Sequence, residues 1–84
     1  MKKVTIYTAP ACPYCIRAKQ FFDESNIEYV EKLTQDHEEE HEALMEKYKW
    51  RTVPMIFIGE EFIGGYDDMM KLVSEGALEE KLQS

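Results

Sequence analysis

Two cysteines, Cys12 and Cys15, stand two residues apart in A-P-A-C-P-Y-C-I-R, and the 84-residue chain has no others. Such a pair serves one of three chemistries: a structural disulfide, half of a metal site, or thiol–disulfide exchange. Pro13 suits the first turn of a helix, because its missing N–H would have no partner there. Cys12 then lies just ahead of that helix's unpaired N–H groups and positive dipole end, a position that favours the thiolate. Cys15, one turn further in, shares a face with Ala18 and Phe22 and is expected to be more buried and less acidic. The pair is therefore asymmetric. Cys12 is placed to attack a disulfide, and Cys15 to resolve the mixed disulfide from within. Arg17 and Lys19 either add positive potential here or face solvent.

Two metal-binding patterns compete with exchange. Cys12 and Cys15 combine with His37 and His41 into two cysteines and two histidines, but the gap between the pairs is too long for a zinc finger. His37-Glu38-Glu39-Glu40-His41 fits H-E-x-x-H, and a helix would place both histidines on one face. The surrounding D-H-E-E-E-H-E is almost wholly polar, so nothing there would bury a zinc against a core. The stretch reads as a solvated helix face, and no metal is assigned.

The elements that must position the thiols follow from periodicity. Residues 3–8 alternate and predict a strand, and 9–11 break it. The helix opened by Pro13 runs to 25–26, with Cys15, Ile16, Ala18 and Phe22 as its apolar positions and Asn26 as its stop. Residues 27–33 predict a second strand, and 36–48 a polar helix with Leu44, Met45 and Tyr48 as its stripe. An apolar run at 55–58 and a shorter one at 62–63 flank a turn at 59–61 and predict a hairpin. Gly64-Gly65 breaks the chain before a helix over 67–75, in which Met69, Met70, Leu72 and Val73 are available for packing. Gly76 interrupts that helix, and 77–82 form a short tail helix. The predicted class is α/β, in the order β-α-β-α-β-β-α, with a four-stranded mixed sheet flanked by helices. The first two strands should be parallel with a right-handed crossover, and the later pair antiparallel.

Length and charge narrow the function. Residues 1–84 are expected to make a single domain. A net charge of -7 argues against nucleic acid, which needs a basic footprint, and against adsorption to anionic membranes. No run approaches the ~20 apolar residues of a membrane span. Met1-Lys2-Lys3 is not followed by a long apolar stretch, so a secretory signal is not expected. The expected location is cytoplasmic, where a close cysteine pair is catalytic or metal-binding more often than structural. The charge is uneven: acids concentrate in 36–42 and near the C-terminus, while Lys47, Lys49 and Arg51 form a basic patch.

Cys12-Pro13-Tyr14-Cys15, Thr52-Val53-Pro54 and Gly64-Gly65-Tyr66-Asp67-Asp68 occur in the order and at the spacing seen in glutaredoxins. The chain resembles a dithiol glutaredoxin over essentially its whole length. The resemblance implies a thioredoxin-like fold with Pro54 cis and beside Cys12. It implies glutathione-dependent reduction of protein disulfides and glutathione mixed disulfides, through a redox-active Cys12–Cys15 disulfide. Glutathione would be a co-substrate, with no cofactor tightly bound. Disulfide-containing or glutathionylated proteins would be the partners, ribonucleotide reductase a candidate among them, and a monomer suffices. For glutathione the resemblance assigns Val53 through its N–H and C=O, with Thr52 and Pro54 beside it. The helix start at Gly65, Tyr66 and Asp67 would hold the γ-glutamyl carboxylate, with Asp68 facing the ammonium. Tyr14, read as exposed in the loop, would contact substrate. Many glutaredoxins carry a lysine three residues before the first cysteine. Ala9 stands there in this chain, and Lys49 or Arg51 would compensate. Trp50 is not required by the motif and is either packing or a protein-recognition feature.

Two rival roles share these residues. One is a glutaredoxin-like hydrogen donor reduced by thioredoxin reductase, against which the glutathione motifs argue. The other is an iron–sulfur cluster carried at a dimer interface through Cys12 and glutathione. Pro13 stiffens the loop, and members best known for that role resemble C-G-F-S rather than C-P-Y-C.

Overall fold

The computed structural model describes residues 1–83. Strand β1 (Val4–Thr8) leads into helix α1 (Pro13–Glu24), strand β2 (Tyr29–Leu33), a 3-10 turn (Thr34–Asp36) and helix α2 (Glu38–Tyr48). Strands β3 (Met55–Ile58) and β4 (Glu61–Gly64) follow, then helices α3 (Tyr66–Ser74) and α4 (Ala77–Gln83). The strands form one mixed sheet in the order β2-β1-β3-β4, with β1 parallel to β2 and antiparallel to β3, and β3 antiparallel to β4. This is the expected element order, with α4 as the tail helix.

Strand alternation divides the core between the two faces of the sheet. Val4, Ile6, Ile56 and Ile58 pack with Ala18 and Phe22 of α1, Met69 of α3, and Leu78 and Leu82 of α4. Tyr7, Met55 and Phe57 face the other way, against Leu44, Met45 and Tyr48 of α2 and against Trp50 and Phe62. The α2 stripe is thus as expected. Ile16, counted among the apolar positions of α1, is instead 48% exposed, because it lies off the Cys15–Ala18–Phe22 face.

The helix ends set the loop lengths. Asn26 takes a left-handed conformation (φ 56°), and the Ile27 N–H donates to the Phe22 carbonyl at 2.8 Å. This terminates α1 and consumes Ile27 in the cap, so β2 begins two residues later than alternation predicts. Lys49 (φ 55°) ends α2 in the same way, and the Trp50 N–H reaches back to the Met45 carbonyl at 3.0 Å. The hairpin turn is two residues long, Gly59 (φ 60°) and Glu60, so Glu61 joins β4 opposite Ile58 rather than lying in the turn.

Polar contacts tie the helices to the sheet. Thr8 Oγ1 donates to Glu31 at 2.7 Å, and Lys19 Nζ reaches the same carboxylate oxygen at 2.9 Å, linking α1 to β1 and β2. On the other face the Tyr7 hydroxyl donates to Glu40 of α2, which Lys32 also pairs at 3.0 Å. The Thr8 hydroxyl, then Lys19, hold the Glu31 carboxyl below its ordinary range. A group depressed in this way stabilises the fold above its unfolded pKa and loses that stabilisation as pH falls through the carboxylate range. Glu31→Gln should therefore cost about 1 kcal/mol at neutral pH. The difference from the parent should vanish on acidification, as read by urea unfolding at several pH values. A cost that stayed constant down to acid pH would assign the effect to packing.

Candidate active site

Cys12 is the N-cap of α1, with extended backbone (φ -101°, ψ 107°), and Pro13 occupies the first helical position. The Cys15 N–H donates to Cys12 Sγ at 3.2 Å, so one of the helix's orphan donors is spent on the sulfur itself. Sγ also lies 3.8 Å from the Val53 carbonyl oxygen. The two cysteines differ in environment: both are free thiols, Cys12 half-buried and Cys15 1% exposed. Burial, and then the hydrogen bond with Cys12, push the Cys15 thiol up to about 12, against a smaller opposing pull from the Ala9 backbone and Lys19. At neutral pH Cys15 holds its proton.

The T-V-P stretch enters β3 beside the thiols. Val53–Pro54 is a cis peptide, with Val53 half-buried, Pro54 buried and Thr52 exposed. Across from it, Gly64 and Gly65 are buried at the start of α3. Gly64 has φ 109°, and a Cβ built there would lie 2.5 Å from the Asp68 carboxylate. A Cβ on Gly65 would meet the Pro54 carbonyl oxygen and the Trp50 ring, both at 3.5 Å. Gly64 thus has room and backbone freedom that no side chain would have there, and it lets the Asp68 carboxylate fold back over the helix start.

The start of α3 differs from expectation by one residue. The helix begins at Tyr66 with Gly65 as its cap, and neither Asp67 nor Asp68 is the N-cap. Asp68 reaches back from the third position to accept the Gly65 N–H at 3.0 Å. Both aspartates are exposed in the first turn. Tyr14, read as a loop residue, lies in the first turn of α1, 48% exposed. Its ring packs on Tyr66 at 6.0 Å, and the Arg17 guanidinium lies over it at 5.3 Å.

These contacts join Cys12, Tyr14, Val53, Pro54, Gly65 and Tyr66 into one site at the entry to β3 and the starts of α1 and α3. Arg51 and Lys49 are exposed on the segment that leads into Val53. Trp50, undecided from sequence, is a packing residue: its ring meets Phe62 edge-on at 5.2 Å beneath Gly65. The histidines lie elsewhere. His37 caps α2 rather than riding on it, and His41 stacks on Tyr7 at 6.4 Å.

Residues 4–63 match the family model for glutaredoxin. The chain is similar to a glutaredoxin of Neisseria meningitidis, 39% identical over 80 residues that cover 94% of each protein. Among solved structures it is similar to a glutaredoxin of Brucella melitensis (TM-score 0.83, 37% identity), with 100% of this chain and 94% of that one covered. It is also similar to a buckwheat glutaredoxin–glutathione complex (TM-score 0.88, 31% identity), with 95% of this chain and 76% of that one covered. The four-stranded sheet and its helices therefore form a thioredoxin-like fold.

Proposed function

The chain belongs to the glutaredoxin family, and on that footing we propose that it is a dithiol glutathione-dependent oxidoreductase, with Cys12 as nucleophile and Cys15 as resolving thiol. The observation that carries this reading is the asymmetry of the pair: a half-buried Cys12 at a helix N-cap and a buried, protonated thiol one turn behind it.

The Cys12 thiolate attacks the glutathione sulfur of a mixed disulfide, expels the substrate thiolate and becomes disulfide-linked to glutathione. A second glutathione thiolate attacks the glutathione sulfur of that bond, forming oxidised glutathione and returning Cys12. With a protein disulfide, Cys12 attacks one substrate sulfur, expels the other as a thiolate and forms a mixed disulfide. Cys15 then attacks Cys12 Sγ and releases the second substrate thiol. Once Cys12 is a disulfide sulfur it carries no negative charge, so one influence that keeps Cys15 protonated is gone and burial alone opposes ionisation. Two glutathiones reduce the resulting Cys12–Cys15 disulfide.

Glutathione fits the surface by charge. The first amides of α3 have no partner within the helix and face one anionic end, beside the Asp68 carboxylate for an ammonium. The exposed Lys49 and Arg51 meet the other carboxylate, since Ala9 cannot. The Val53 backbone, 3.8 Å from Cys12 Sγ, lies where the cysteine moiety must sit.

The reading is tested by coupling glutathione oxidation to glutathione reductase with a small glutathionylated disulfide. Turnover is expected. Reduction of the oxidised protein by thioredoxin reductase but not by glutathione would replace this reading. In the same assay Arg51→Ala should raise KM for the glutathionylated substrate about two- to fivefold and leave kcat nearly intact, as for lost uniform binding at an exposed pair. The effect should shrink with added salt. A collapse in kcat at constant KM would place Arg51 on the thiolate or the fold instead.

A further inference from the structure

Three cations, Arg17, Lys49 and Arg51, stand at the rim of the candidate site. Lys19, Lys32 and Lys81 each pair with a glutamate, at 2.9, 3.0 and 2.7 Å, whereas Lys2, Lys3, Lys47 and Lys71 have no carboxylate within 4.0 Å among the described residues. At the rim, Arg17, Lys49 and Arg51 are exposed, and among the described residues none has a carboxylate within 4.0 Å. They stand on two sides of Cys12. Arg17 projects from α1 over the Tyr14 ring, and Lys49 and Arg51 precede Val53, whose carbonyl meets Cys12 Sγ. Two large apolar side chains are also left open there: Tyr14 and Ile16, each 48% exposed.

Glutathione does not account for all of this. One tripeptide lying between the α3 start and the 49–51 segment leaves Arg17 and Ile16, on α1, without a role. We propose that this face docks protein substrates whose target cysteine is neighboured by acidic residues that meet Arg17, with an apolar residue for Tyr14 and Ile16. The proposal rests on the oxidoreductase reading and adds the class of partner to it. The net charge of -7 opposes such partners only at long range. Salt screens charges beyond about 8 Å at physiological ionic strength, so the local cations decide. The third side of the site, with Asp67 and Asp68 exposed, sets a limit on the fit. With the 49–51 segment engaged by glutathione, the partner's acids must fall toward Arg17 on α1, and away from α3.

The test uses three peptides, each with one glutathionylated cysteine, identical except for acidic, neutral or basic residues on both flanks. A small glutathionylated disulfide is the reference. The acidic peptide is expected to exceed the basic one in kcat/KM by about tenfold at low ionic strength, narrowing at high salt. Arg17→Glu should cut that preference at least about threefold and leave the small disulfide unaffected. Equal kcat/KM for acidic and basic peptides, a preference for the basic one, or a preference unchanged in Arg17→Glu would overturn the proposal. No turnover of any peptide or of the small disulfide would overturn the oxidoreductase reading, and this proposal with it.

Discussion

Cys12→Ser is expected to abolish glutathione-dependent turnover, by at least about a thousandfold in kcat/KM, for every disulfide substrate. The serine hydroxyl keeps the N-cap and accepts the Cys15 N–H, so the fold should survive while the nucleophile is lost. Cys15→Ser should separate the two activities. It loses reduction of protein disulfides, because no thiol remains to release the second substrate sulfur. It keeps reduction of glutathione mixed disulfides, since glutathione resolves that intermediate from outside. Alkylation gives an independent check. The Cys15 thiol, pushed up to about 12, should resist iodoacetamide at neutral pH, while Cys12 takes one equivalent. The same shift has a consequence for stability. The unfolded chain releases the Cys15 proton near 9 and the folded one near 12, so stability should fall as pH rises between those values. Full activity in Cys12→Ser would remove the assignment of the nucleophile, and rapid modification of both cysteines in the native protein would remove the asymmetry it rests on.

The parts that were legible in the sequence are those set by local chemistry. Pro13 after Cys12 places the thiol at a helix start because only the first turn tolerates proline, and the alternation of β1 and the continuous apolar run of β3 match their burial in the sheet. Boundaries were missed where a cap competes with periodicity. Ile27 looks like a strand residue but closes α1 through the Phe22 carbonyl. Tyr66 looks like part of the glycine break but begins α3, since Asp68 supports the cap from the third position. Non-local pairings were not readable at all. Nothing in the sequence says that Glu31 meets both Thr8 and Lys19, or that Tyr7 finds Glu40 on a helix 33 residues away. Trp50 and Ile16 failed for a related reason: whether a large apolar side chain packs or stays open depends on what the fold brings opposite it.

The position of Cys12 depends in turn on how α1 is held to the sheet, and Phe22 is the largest fully buried side chain. It lies two turns below Cys15 on the same face, 1% exposed, with Tyr29 of β2 at 5.2 Å and Phe21 at 6.1 Å between ring centroids. Phe22→Ala removes that ring from the cluster that joins α1, α3 and α4 to β1 and β3. Its cost is expected to be about 3–5 kcal/mol. Domains of this size have about 4–13 kcal/mol in all, so the variant should be marginal. Melting should fall by about 12–40 °C, at roughly 4–8 °C per kcal/mol. Phe21, only partly buried at the edge of the same cluster, should cost less than half as much when truncated. Activity in Phe22→Ala should track the folded fraction: near the parent value well below the new transition, lost above it. A melting shift under about 5 °C would mean that the site collapses around the missing ring. α1 would then owe its placement chiefly to the Thr8–Glu31–Lys19 contacts rather than to its buried face.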